Sequence, residues 1–131
     1  MKPSAALLAL TLVWALPGAE AHHSLAMFDQ SRTLTLTGTI YKFDWTNPHV
    51  WLWVTVPGDQ PAIWGLESGA PPQLRREGIS WDSFHTGDAV TVTLHPNRDG
   101  STGGHLLSAQ VPSGARYQSH EPGLPPGQGT P

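Results

Sequence analysis

The sequence predicts an all-β fold, a small five-stranded OB-like barrel with one short helix between strands 3 and 4. Three observations carry this reading. Thr33 to Phe43 (T-L-T-L-T-G-T-I-Y-K-F) alternates with the period of a half-buried strand. Four more short apolar stretches follow, divided by Gly/Pro-rich turn signals. The one helical signal falls after the third strand, where a barrel of this type carries its helix. A five-stranded sandwich is the alternative arrangement.

The elements follow in order. In the first strand Leu34, Leu36 and Ile40 take one face and the threonines the other, and Gly38 predicts a bend or bulge. His49 to Val56 (H-V-W-L-W-V-T-V) is the second strand, closed by the turn Pro57-Gly58-Asp59. Ala62 to Glu67 is the third. Pro71-Pro72 opens a short helix that runs through Glu77 and ends at Gly78, the expected asymmetry of proline at the start and glycine past the end. Ala89 to His95 is the fourth strand, Arg98 to Gly104 a hairpin connection, and His105 to Val111 the fifth strand. From Pro112 the composition turns Pro/Gly-rich, which predicts a disordered tail over residues 112–131.

Residues 1–21 read as a secretory signal. Lys2 is followed by an apolar run from Ala5 to Leu16, a Pro17-Gly18 break and the small-x-small site Ala19-Glu20-Ala21. The run is too short for a spanning helix, which takes about 20 residues, so cleavage is favoured over an uncleaved anchor. The expected mature domain covers residues 22–111, and the expected location is periplasmic or secreted. There is no cysteine, hence neither a disulfide nor a thiolate ligand. A formal net charge of −3 lacks the basic footprint of a nucleic-acid binder. The expected partners are therefore an unknown periplasmic protein or a small ligand, with no nucleic acid, and no integral membrane segment after signal cleavage.

Several motifs stand in a fixed order. They are A-H-H-S-L-A-M-F-D, T-L-T-G-T-I, W-T-N-P-H-V-W at Trp45 to Trp51, W-G-L-E at Trp64 to Glu67, and H-P-N-R-D-G at His95 to Gly100. Together they resemble an uncharacterised family of exported bacterial proteins, domain-of-unknown-function family 6152, over roughly His22 to Val111. Leu25 stands where that family is associated with phenylalanine, an apolar exchange. The resemblance implies an exported domain of this extent and carries no function with it.

Cleavage after Ala21 would make His22 the first residue. Its α-amine and ring nitrogen then form a small chelate, and one further histidine would complete a T-shaped set of three nitrogens. Such a set suits Cu(II), which also heads the affinity order of divalent metals. Copper is the cofactor this pattern points to. His23 is an alternate donor, although neighbouring residues of an extended chain face opposite ways. The best distant donor is His49, which follows the Asn47-Pro48 turn signal and shares a strand face with Trp51 and Trp53. Val50, Leu52, Val54 and Val56 would take the core. The segment His22 to Asp29 is expected to lie across the tryptophan face, with Leu25, Met27 and Phe28 covering it and His22 or His23 brought near His49. His95 and His105 form a second, weaker candidate pair, their ordinary reading being solvent-exposed loop-edge residues. His85 and His120 receive no role.

Trp45, Asn47, Trp51 and Trp53 are the candidate ligand-binding residues, because OB barrels bind on the face of strands 2 and 3. Trp64 and Trp81 are expected to be packing residues; Glu67 could serve as a general base or a metal carboxylate, but a solvated strand end is its expected state. No catalytic motif is present: there is no G-x-S-x-G elbow, no H-E-x-x-H and no phosphate loop. No enzymatic activity is expected. Two classes of function stay open, a Cu(II)-binding protein and a non-metal interaction module that docks a partner on its Trp/His face.

Overall fold

The computed structural model describes residues 25–112 and 114–119. It is an all-β barrel. Strand β1 spans Leu34–Asp44, β2 Trp51–Val56, β3 Ala62–Glu67, β4 Ala89–Pro96, β5 Gly103–Gln110 and β6 Arg116–Gln118, and the short helix α1 covers Pro71–Arg76 between β3 and β4. The sheet order is β3-β2-β1-β4-β5-β6. A parallel pairing of β3 with β5, Gly65 to Glu67 against Gly103 to His105, closes the first five strands into a barrel. That closure excludes the sandwich.

Strand β1 is long because it serves two neighbours. Its first half pairs with β4 from Leu34↔Leu94 to Thr39↔Ala89, and its second half with β2 from Thr39↔Thr55 to Asp44↔Trp51. The irregularity in this strand lies between Ile40 and Lys42, not at Gly38. Gly38 has a different task. A Cβ there would stand 2.2 Å from the Thr55 carbonyl oxygen, so only glycine lets β2 come this close where β1 passes from one partner to the other.

The barrel interior takes the aliphatic face of every strand. Ile40, Val50, Leu52, Val54, Leu66, Val90, Val92, Leu94 and Leu106 are all buried, and Leu74 of α1 packs into the same cluster with Ile79 and Phe84. The expected tail contains an ordered strand. β6 pairs with β5 from Gln110↔Arg116 to Ser108↔Gln118, and Tyr117 enters the core. Its apolar-polar alternation is too brief to register in a Pro/Gly-rich stretch. Trp81 is also unlike its expectation. It is 71% exposed, because it sits in the turn after α1 whose Ser80 and Ser83 bond to each other rather than folding the indole inward.

Candidate functional site

The outer face of β2 and β3 carries the site. Because Val50, Leu52 and Val54 face inward, Trp51 and Trp53 must face out, and both are half-buried. Their rings stack, with centroids 5.8 Å apart and planes 22° off parallel. Trp53 is fixed from two sides. Its indole N–H donates to Asp44 Oδ2 at 3.1 Å, and its ring lies on Gly65, where a Cβ would meet it at 2.7 Å. Asp44 is also paired with Lys42 at 2.7 Å.

Glu67 is the Cα partner of Trp51 and is nearly fully buried, contrary to the solvated strand end expected of it. Its carboxylate stands 3.1 Å from His49 Nδ1, and the Ser68 carbonyl oxygen stands 3.0 Å from the same nitrogen. A nitrogen facing two acceptors carries the proton. In the tautomer that carries this proton on Nδ1 the lone pair falls on Nε2, the arrangement that orients metal-binding histidines elsewhere. The loop that delivers His49 is held by Thr46 Oγ1 donating to the His49 carbonyl at 2.9 Å, and its Asn47–Pro48 peptide is cis.

Sequence reasoning named Glu67 but missed its burial. The signal was the hairpin register: a turn centred on Asp59 sets Trp51 opposite Glu67 and puts the carboxylate beside the residue that starts the second strand.

The row continues across the barrel. Glu67 pairs with His105 of β5, and His105 with His95 of β4. The structure thus brings His95 and His105 side by side, but each ring has packing or bonding of its own. His95 is buried, not a solvent-exposed loop edge, and its Nδ1 meets the Arg32 carbonyl oxygen at 2.7 Å. The His105 ring stacks under Phe28 at 5.4 Å.

That stack corrects the expected path of the N-terminal segment. Residues 25–29 lie against the β4–β5 connection, not across the tryptophans. Asp29 N–H donates to the Pro96 carbonyl, Arg98 N–H to the Met27 carbonyl, and Arg98 Nε–H to the Ala26 carbonyl. Leu25 and Met27 are exposed, and Phe28 alone is buried, over His105. Phe28 bridges directly to Asn97, and the backbone bonds on either side of that bridge hold the segment at the β4–β5 connection. The Ser31 hydroxyl and amide donate to Asp29 and hold its carboxyl below the usual carboxylate range. This turn therefore keeps its ionised form at neutral pH, and its contribution is lost only as pH falls through that lowered value.

His22 and His23 lie outside the described residues. Among the described residues, no three His, Cys, Asp or Glu side chains gather as a metal set. Of the ligand-binding candidates, Trp51 and Trp53 share the outer face. Trp45 does not. It packs against the core, edge-on to Phe43 at 5.9 Å, with the Arg75 guanidinium 5.5 Å from its ring centroid. Asn47 is exposed at the loop tip.

A family of unknown function, DUF6152, matches residues 11–107, well over half of the chain. The chain belongs to this family. No curated protein matches it. Among solved structures, the mitochondrial single-stranded DNA binding protein Rim1 of S. cerevisiae is similar at a TM-score of 0.48 and 11% identity, over 61% of this chain and 92% of that one. The expected exclusion of nucleic acid is corrected to no assignment: the similar chain is named as a single-stranded DNA binding protein, and nothing of its binding is carried to this one. The expected periplasmic protein or small-ligand partner has no counterpart in these comparisons. No helix among the described residues is long and apolar enough to cross a membrane.

Proposed function

We propose that this member of the DUF6152 family is an exported copper-binding protein rather than an enzyme, with Cu(II) held by the amine and imidazole of His22 and by the His49 imidazole, and with His23 as alternate donor. One observation carries the reading. His49 Nδ1 faces both the Glu67 carboxylate and the Ser68 carbonyl, which orients the ring and supports Nε2 as the donor atom. A buried carboxylate behind a partly exposed imidazole strengthens its donor character, and the stacked Trp51 and Trp53 border it with apolar surface.

The strand spacing supports a reach from the N-terminal segment to His49. Phe28 rests on His105, whose Cα partner is Glu67. Neighbouring strands are about 4.8 Å apart. The three residues from Leu25 back to His22 span up to about 10 Å when extended. A copper site would supply tight, nitrogen-rich binding of a redox-active cation in the periplasm.

The test is a Cu(II) titration of the chain beginning at His22, read by electron paramagnetic resonance. One equivalent bound with nitrogen hyperfine structure is expected. A single glycine added ahead of His22 removes the tethered amine from the chelate and should weaken binding at least about 100-fold. Binding no tighter than that of a generic histidine peptide, or indifference to the added glycine, would overturn the reading.

A further inference from the structure

We infer that Trp51 and Trp53 form a one-electron redox site, in which an oxidising equivalent reaching this face settles on Trp53 while the indole proton passes to Asp44. The inference goes beyond the copper reading, needs no metal and is tested without one.

Three features of the outer face favour loss of an electron here. The first is the stack. The two rings lie 5.8 Å apart at their centroids and 22° from parallel, so a hole on one ring is handed directly to the other. Trp53 is held in that position by its seat on Gly65, where a Cβ would meet the ring at 2.7 Å.

The second is charge. Trp51 is the Cα partner of Asp44 on one side and of Glu67 on the other, so one cross-strand row reads Asp44, Trp51, Glu67. Residues directly opposite in antiparallel strands have Cβ atoms about 5 Å apart. A carboxylate at that range stabilises the positive charge that an indole acquires when it loses an electron. The opposing cation, Lys42, pairs with Asp44 Oδ1, and its side chain is 59% exposed, so water screens it.

The third is the proton. Trp53 Nε1–H donates to Asp44 Oδ2 at 3.1 Å. Among the described residues, Trp53 is the one tryptophan whose indole N–H donates to a carboxylate. A neutral indole holds this proton firmly, but its cation radical is an acid. The Asp44 side chain is 25% exposed, which gives the proton a way out to water.

The step balances as follows. A one-electron oxidant of the radical class removes an electron from the stack and is itself reduced by one electron. The hole comes to rest on Trp53, whose N–H bond breaks as its proton bonds to Asp44 Oδ2. The products are a neutral indolyl radical and a protonated Asp44. A small reductant of the thiol or ascorbate class returns one electron, and the proton goes back to Nε1. His49 precedes Trp51 by two residues, about 7 Å along an extended chain, so a radical formed at the His49 corner meets this pair next.

The experiment exposes the metal-free full chain, in air and without reductant, to azide radicals generated by radiolysis. Dissolved oxygen traps the indolyl radical as an oxygenated residue, and peptide mass mapping gives the yield at each tryptophan. Trp81, 71% exposed on its turn, is the internal comparison. Half-buried Trp53 should carry more product than Trp81. Asp44→Asn should lower the Trp53-to-Trp81 ratio at least about fivefold, the factor for a unit charge lost about 4 Å away even in water. Trp51→Phe removes half of the stack and should lower the ratio as well, and it serves if Asp44→Asn does not fold. Asp82→Asn, beside Trp81, should leave Trp53 ahead. If Trp81 carries most of the product in the wild type, or if neither folded variant changes the ratio, oxidation follows solvent access and the inference is overturned. Either result leaves the Cu(II) titration to decide the copper reading on its own.

Discussion

Gly38→Ala is expected to cost about 3 kcal/mol of stability, a fall in melting temperature of roughly 12–24 °C for a domain of this size. The reason is local and backbone-deep. The added Cβ would sit 2.2 Å from the Thr55 carbonyl oxygen and 2.9 Å from Val54 Cγ1. A flexible side chain could swing away, but a carbonyl in a ladder cannot. Relief requires β2 to part from β1 at Thr39↔Thr55, next to where β1 still pairs with β4 at Gly38↔Val90. That is the corner on which barrel closure depends. Gly58→Ala is the matched control, since the nearest atom to a Cβ there is 3.9 Å away. It should change stability by less than about 1 kcal/mol, on the stabilising side. Thermal unfolding followed by circular dichroism separates the two. A Gly38→Ala variant that melts within a few degrees of the wild type would show that the strand crossing is slack.

The barrel was legible because its signals are local. Alternation in T-L-T-L-T-G-T-I and H-V-W-L-W-V-T-V places strands and faces with little help from tertiary context, and Pro71-Pro72 with Gly78 brackets the helix between β3 and β4. What was not legible depends on register between distant strands. Glu67 reads as solvated on its own stretch. It is buried because the hairpin sets it beside Trp51 and the parallel closure sets it beside His105. Phe28 reads as a cover for tryptophans one strand away, yet the chain that bears it bonds to Pro96 and Arg98 and so reaches His105 instead. β6 is three residues long in a stretch where composition speaks for disorder, and it is ordered by Tyr117 filling the core. Each miss is a place where a non-local partner outweighs the local pattern.

Glu67→Ala should show whether the His49 corner is built for stability alone. The substitution takes away an acceptor 3.1 Å from His49 Nδ1 and leaves that nitrogen with the Ser68 carbonyl. Removing one partner of a fully buried pair costs about 3–5 kcal/mol. The His49 side chain is 34% exposed, so water can solvate the ring once the carboxylate is gone. The expected cost is therefore that of a hydrogen bond to a charged group, about 1.5–3 kcal/mol. Glu67→Gln keeps the volume and one acceptor but removes the charge, and should lose less than half as much. Copper separates the roles. A carboxylate that orients and enriches a ligand histidine contributes about 10–100-fold to metal affinity. Glu67→Gln should then weaken Cu(II) binding by such a factor while remaining close to wild type in thermal stability. If Glu67→Gln binds copper as the wild type does, the carboxylate serves the barrel and not the metal. If Glu67→Ala alters neither stability nor binding, the Ser68 carbonyl alone holds the ring, and the tie between the buried acid and the function of this face is broken.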